Sequence, residues 1–146
     1  MGKYFDDLEI GGEFISAGRT ITETDIVNFA GITGDWNELH VNKEFAEKGV
    51  FGQRIAHGVL TFSISTGLSV RMGLLDDVVI AFYGVDRLRF TQPVFIGDTV
   101  RVRKRVEAKE ARGERTGLVT FVTEVINQRD DVVLAYQDKV LLKRKS

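Results

Sequence analysis

The chain has no cysteine, one proline, one tryptophan and two histidines in 146 residues. The missing thiols exclude disulfides, thiolate nucleophiles and cysteine-ligated metal together. Pro93 stands alone, so there is no proline-rich linker, and no repeat or low-complexity segment divides the chain. Residues 1–146 therefore read as one domain, long enough to bury a core unaided. Neither sign of charge is in excess: 20 Lys and Arg face 21 Asp and Glu, a balance that asks for neither nucleic acid nor a membrane surface. No apolar run approaches the roughly 20 residues of a membrane span, and the mixed, charged opening Met1–Asp7 is unlike a signal peptide. A cytoplasmic protein is expected. Gly-x-Ser-x-Gly and glycine-rich phosphate loops are both missing, which leaves no serine-nucleophile motif and no phosphate cradle.

What is present changes character midway. Glu13–Thr20 reads as a short strand. Thr22 followed by Asp25 resembles a capping box opening a helix through Ile26, Phe29 and Ala30, ended by Gly31 or Gly34. Asn42 is placed to cap a second short helix, Lys43–Lys48, closed by Gly49, with 49–56 a loop. From Gly58 to about Met72 a run of Val, Leu, Phe and Ile alternates with small Thr, Ser and Gly. A helix apolar nearly all round should be buried on most sides. Four long β-type runs follow, Val78–Phe90, Asp98–Ala108, Thr116–Asn127 and Val132–Lys143, punctuated by Ile96-Gly97-Asp98 and Gln128–Asp131. Four consecutive strands without an intervening helix favour antiparallel pairing. The expected fold class is α+β: a long curved antiparallel sheet around one central helix.

The two histidines carry the chemistry-bearing segments. In Gly34-Asp35-Trp36-Asn37-Glu38-Leu39-His40 a carboxylate and an imidazole stand five residues apart, in a run too turn-rich to be a helix. Groups with ordinary pKa values near 4 and 6.5 can divide acid and base work on one water. Trp36 and Leu39 would partly desolvate Asp35, and the Asn37 amide would orient a neighbour. The bland reading is turn chemistry at Asp35 and a surface His40. His57-Gly58 opens the central helix. His57 is a cap or a site residue, while the Gly58 and Val59 N–H groups would face outward where the macrodipole favours negative charge, forming an oxyanion hole. Asp35, His40 and His57 match a two-histidine, one-carboxylate metal set in type, but not in helical spacing, and no metal is expected. Ser63, Ser65, Thr66 and Ser69 read mainly as hydroxyls bonding back to the helix, one of them available to orient Asp35. Arg101, Arg103, Lys104 and Arg105 read as the solvated face of a strand.

Phe29 to His40, followed by Phe45-Ala46, resembles the hydratase motif of the MaoC-like dehydratases, the family of (R)-specific enoyl-CoA hydratases with the hot dog fold. Asp35, Asn37, Leu39, His40 and Ala46 match that motif. Ile55-Ala56-His57-Gly58 resembles the approach to its central helix, and Arg89-Phe90 through Gly97-Asp98-Thr99-Val100 its strand–turn–strand signature. The resemblance implies Asp35 and His40 as the catalytic pair adding or removing water across the α,β double bond of an acyl thioester. It further implies Gly58, Asn37, His57 and Thr66 as oxyanion or substrate-site residues. Thr66 stands where the family commonly has a serine that orients the aspartate. No cofactor is implied beyond the acyl-CoA or acyl-carrier-protein substrate, and a homodimer joined edge to edge is expected. One departure is Glu38, where the family usually has proline; it would loosen the turn between acid and histidine and add a charge. A hot dog thioesterase and a non-catalytic acyl-thioester binding subunit are the alternatives.

Overall fold

The computed structural model describes residues 2–146. Its frame is a single antiparallel sheet in the order β1-β4-β5-β6-β3, from β1 (Glu13–Ile15), β3 (Val79–Phe90), β4 (Thr99–Ala111), β5 (Thr116–Ile126) and β6 (Val132–Lys143), with β2 (Arg19–Thr20) also pairing with β4. The four long runs and their antiparallel pairing are as expected, shifted by a few residues at their ends. The first run differs. Glu13–Thr20 breaks at Ser16, whose Oγ turns inward and accepts the Val102 N–H at 2.8 Å, so one expected strand becomes two short pieces on the same neighbour.

Thr22 and Asp25 form the reciprocal capping box that the spacing predicts. Thr22 Oγ1 accepts from the Asp25 N–H at 3.2 Å, and Asp25 Oδ2 accepts from the Thr22 N–H at 2.8 Å. They open α1 (Glu23–Thr33), which runs through Gly31 and stops where Gly34 adopts a left-handed φ of 79°. The segment expected to be non-helical contains a turn of helix, α2 (Glu38–Val41). The overlooked signal is Asn37, whose Oδ1 accepts from the Leu39 N–H at 3.0 Å and caps it. Glu38 thus occupies the first helical position, where proline is also at home. Its Oε1 accepts from Asn42 Nδ2 at 3.1 Å, and Asn42 in turn caps α3 (Lys43–Glu47). A side-chain tether stands where a proline ring would stiffen the turn.

The central helix, α4 (Gly58–Arg71), lies across one face of the sheet. Leu60, Thr61, Ser65 and Leu68 are buried, but Val59 and Val70 are 55% and 69% exposed. The helix is therefore covered on one side, not most sides as its composition suggests. A single sheet screens only the residues that face it. Inward positions on the strands complete the core, with Val100, Val102, Val125 and Leu134 packed under α4 and Phe121, Val119 and Leu142 in a second cluster with Phe5 and Leu8. Each such side chain contributes about 1.5–3 kcal/mol by leaving water. The basic run on β4 is not uniformly solvated. Lys104 shares the inward phase of Val100, Val102 and Val106 and is only 2% exposed, because strand alternation sets direction regardless of charge.

Candidate active site

Three chain segments converge on the two histidines. Asp35 follows the cap of α1, held by its N–H donating to Thr33 Oγ1 at 3.1 Å, while Asp35 Oδ1 accepts from the Asn37 N–H at 3.3 Å. His40 rides on α2. Its Nδ1 lies 2.8 Å from the Ile55 carbonyl, which can only accept. The proton therefore sits on Nδ1, and Nε2 keeps its lone pair for other work. The 49–56 segment is a loop as expected, and it serves as the anchor for this ring: the Ile55 N–H donates to the Leu39 carbonyl at 3.4 Å, and Ile55 bridges Phe95.

His57, expected as a cap or a site residue, is buried beneath the pair. Its ring is 2% exposed, stacked on His40 at 3.8 Å between centroids and met edge-on by Phe29 at 4.9 Å. Its Nε2 lies 2.9 Å from the Asp35 carbonyl oxygen, so Nε2 is the donor. His57 thus clamps the main chain of Asp35 and supports His40 from beneath. A carboxylate oxygen of Asp35 and one ring nitrogen from each histidine lie within 4.8 Å of one another. Such a set has the donor types of a cation site, while His40 Nδ1 and His57 Nε2 are engaged by the Ile55 and Asp35 carbonyls. Asn37 likewise uses its side-chain oxygen on the helix cap, a positioning role. Asp35 and Trp36 are exposed, so the desolvation expected from Trp36 does not arise within one chain.

Gly58 is the first residue of α4, and its N–H has no acceptor within the helix. A Cβ there would meet Phe90 ring carbons at 2.7 Å, so glycine is what lets Phe90 close over the helix start. Beside it is a pocket of about 400 Å³ walled by Val59, Thr61, Phe90, Pro93 and Leu134. Thr61 was not among the expected residues. Its hydroxyl and His57 Nδ1 are buried without a partner among the described residues. Thr66 is not brought to Asp35 within the chain: its hydroxyl donates to the Ser63 carbonyl at 2.6 Å, and it borders a separate cavity.

That second cavity exposes what the sequence reading missed. Lys104, Thr123 and Asp138 form a buried polar cluster beneath it, with Tyr136 and Ser65 alongside. Burial pushes the Lys104 ammonium below the usual lysine range, partly countered by Asp138, and burial raises the Tyr136 phenol above its usual value. The signal was available. Lys104 on β4 and Asp138 on β6 each interrupt an inward-facing alternation of apolar residues.

A sheet wrapping one face of a central helix defines a hot dog protein, here with an acid and an imidazole at the helix entrance. The fold is shared with a Mycobacterium tuberculosis protein described as having a double hotdog fold, at a TM-score of 0.86 and 25% identity over 99% of this chain and 45% of that one. Residues 8–128 match the MaoC like domain, and the chain belongs to that family. It is 41% identical over 142 residues to 3-hydroxybutyryl-CoA dehydratase of Methylorubrum extorquens, covering 97% of this chain and 85% of that protein. It is 43% identical over 98 residues to the (R)-specific enoyl-CoA hydratase of Rhodospirillum rubrum, 66% of this chain and 65% of that one. It spans a third of Protein MaoC of Klebsiella aerogenes, 40% identical over 114 residues.

Proposed function

We propose that the protein is an (R)-specific enoyl-CoA hydratase, equally a 3-hydroxyacyl-thioester dehydratase, which adds water reversibly across the α,β double bond of an acyl thioester. The observation that carries this reading is the pairing of the Asp35 carboxylate with a His40 ring whose Nδ1 is tied to the Ile55 carbonyl, leaving Nε2 free. A water held between the two gives up a proton to one of them as its oxygen bonds to the β-carbon. The other delivers a proton to the α-carbon and is restored by the proton taken from water, so one water is consumed, the pair returns to its starting protonation state and no bond to sulfur breaks. The Gly58 N–H stabilises the thioester oxygen as enolate charge builds there. His57 and Asn37 position the pair. This scheme uses no metal or redox group.

The chain is also proposed to work as a homodimer in the cytoplasm. Supporting this, β3 is an edge strand that leaves Val79, Ile80, Phe82, Tyr83 and Phe90 between 44% and 56% exposed, a combination that invites pairing with a second edge. The test is loss of the conjugated thioester absorbance of crotonyl-CoA, with Asp35→Asn and His40→Ala each expected to slow it by about 10²–10⁴-fold. A chiral assay should return the (R)-3-hydroxy product. Release of free thiol in place of hydration would refute the proposal and indicate a thioesterase.

A further inference from the structure

The buried polar cluster has one donor left over. Lys104 Nζ donates to Thr123 Oγ1 at 2.8 Å and to Asp138 Oδ2 at 2.5 Å, and Thr123 donates its only proton to Asp138 Oδ1 at 2.6 Å. Ser65 donates to the Phe62 carbonyl at 2.6 Å, so Tyr136 is the donor in the 2.7 Å contact between their hydroxyls. Every hydroxyl proton is thereby assigned. An ammonium has three protons, and the third on Lys104 has no oxygen acceptor among the described residues; the group rests 4.6 Å from the Phe121 ring centroid. The Lys104 and Asp138 side chains, 3% and 4% exposed, border a cavity of about 380 Å³ whose remaining walls are largely apolar, Val70, Leu74, Val79 and Phe82 among them.

This cavity and the Gly58 pocket open on the same face of α4. Val59 borders the first pocket and Thr66 and Val70 the second, with exposed Ser63 and Gly67 between them; a Cβ on Gly67 would meet nothing within 4 Å. Gly58 and Thr66 are separated by about 12 Å of helix, within reach of a medium-length acyl chain.

We propose that the Lys104 cavity receives the far end of the acyl group and selects one bearing a neutral oxygen, hydroxyl or ketone, over a hydrocarbon or carboxylate end. The proposal rests on the acyl-thioester reading above. A neutral oxygen accepts the third Lys104 proton, and a hydroxyl also has an acceptor in Asp138, whose carboxylate has about four lone-pair sites. A hydrocarbon end leaves that proton facing carbon. A carboxylate end meets Asp138 and the exposed Asp76 and Asp77 on the cavity wall, with the Lys104 charge already balanced.

The experiment compares eight-carbon trans-2-enoyl-CoAs ending in methyl, hydroxyl, methyl ketone or carboxylate, and measures binding of their saturated counterparts by calorimetry. The hydroxyl and ketone ends should exceed methyl by about tenfold in kcat/KM and in affinity, the value of one hydrogen bond to a charged donor, with carboxylate lowest. Lys104→Met/Thr123→Val/Asp138→Leu should erase that advantage, read as the ratio of oxygen-ended to methyl-ended substrate within each protein. Equal or better use of the methyl end by the native protein, which requires no variant, overturns the proposal and leaves the hydratase reading intact. A binding order that appears without any hydration supports the cavity's selectivity and refutes the hydratase reading. Absence of both overturns both.

Discussion

Removing Lys104 alone should be far more damaging than removing the whole buried cluster. Asp138 is 3% exposed and its carboxylate is held by Lys104 and by Thr123. Lys104→Met leaves that carboxylate in the interior with one hydroxyl donor, which costs about 3–5 kcal/mol. Against a total stability of about 5–15 kcal/mol, this is a large fraction. A domain of this size loses about 2–4 °C of melting temperature per kcal/mol, so a fall of roughly 6–20 °C is expected. The triple variant Lys104→Met/Thr123→Val/Asp138→Leu exchanges the ion pair and its hydroxyl bridge for hydrocarbon of similar volume. It should melt at or above the native temperature, since buried ionic clusters are often neutral or unfavourable against packed apolar groups by about 1–4 kcal/mol. The assay is thermal unfolding followed by far-ultraviolet circular dichroism at neutral pH. A triple variant that melts below the single one, or a single variant within about 1 kcal/mol of native, would refute the reasoning. Either result would mean that the cluster is more hydrated than its burial indicates.

Two other outcomes test the local geometry. Gly58→Ala places a methyl carbon 2.7 Å from Phe90 ring atoms; because Phe90 is 52% exposed the ring can swing outward, so the loss should fall near the lower end of about 1–3 kcal/mol. Hydration of crotonyl-CoA should fall more steeply than stability, and an unchanged rate would remove Gly58 from the site. For Asp25, burial by itself would raise the carboxyl, but the Thr22 N–H and hydroxyl and Arg19 outweigh it and hold it below the usual carboxylate value. A group lowered in the fold stabilises above its unfolded value, near 3.9, and that contribution disappears as pH falls through the folded value. Asp25→Ala should therefore melt lower than native at pH 7, by up to about 1 kcal/mol in stability, with the gap closing below about pH 4. A gap that persists at pH 2 would show that the capping carboxylate is not its cause.

The acid–imidazole pair, the capping box at Thr22 and Asp25, the short helix capped by Asn42 and the four strands were legible because each is encoded within a few neighbouring residues. Caps and alternation are local, and they survive into the fold nearly unchanged. The Asn37 cap on α2 was equally local and was obscured by the turn residues around it. The inward phase of Lys104 and Asp138 was written into β4 and β6, but charge read as exposure hid it. Other features belong to tertiary structure alone. Nothing near His57 in sequence announces that its ring would bond the carbonyl of Asp35, 22 residues earlier, and stack on His40. Its burial follows from the way α1 and α4 approach one another, and this gives the ring a supporting contact that the sequence does not announce. Thr66 lies about two turns along α4 from Gly58 and bonds the Ser63 carbonyl for the same kind of reason: position along a helix sets its direction, and only the packing of α4 on the sheet decides what lies in that direction. Local chemistry selected the elements and the acid–imidazole pair, while long-range packing decided which polar groups face water, which border a cavity and which hold the others in place.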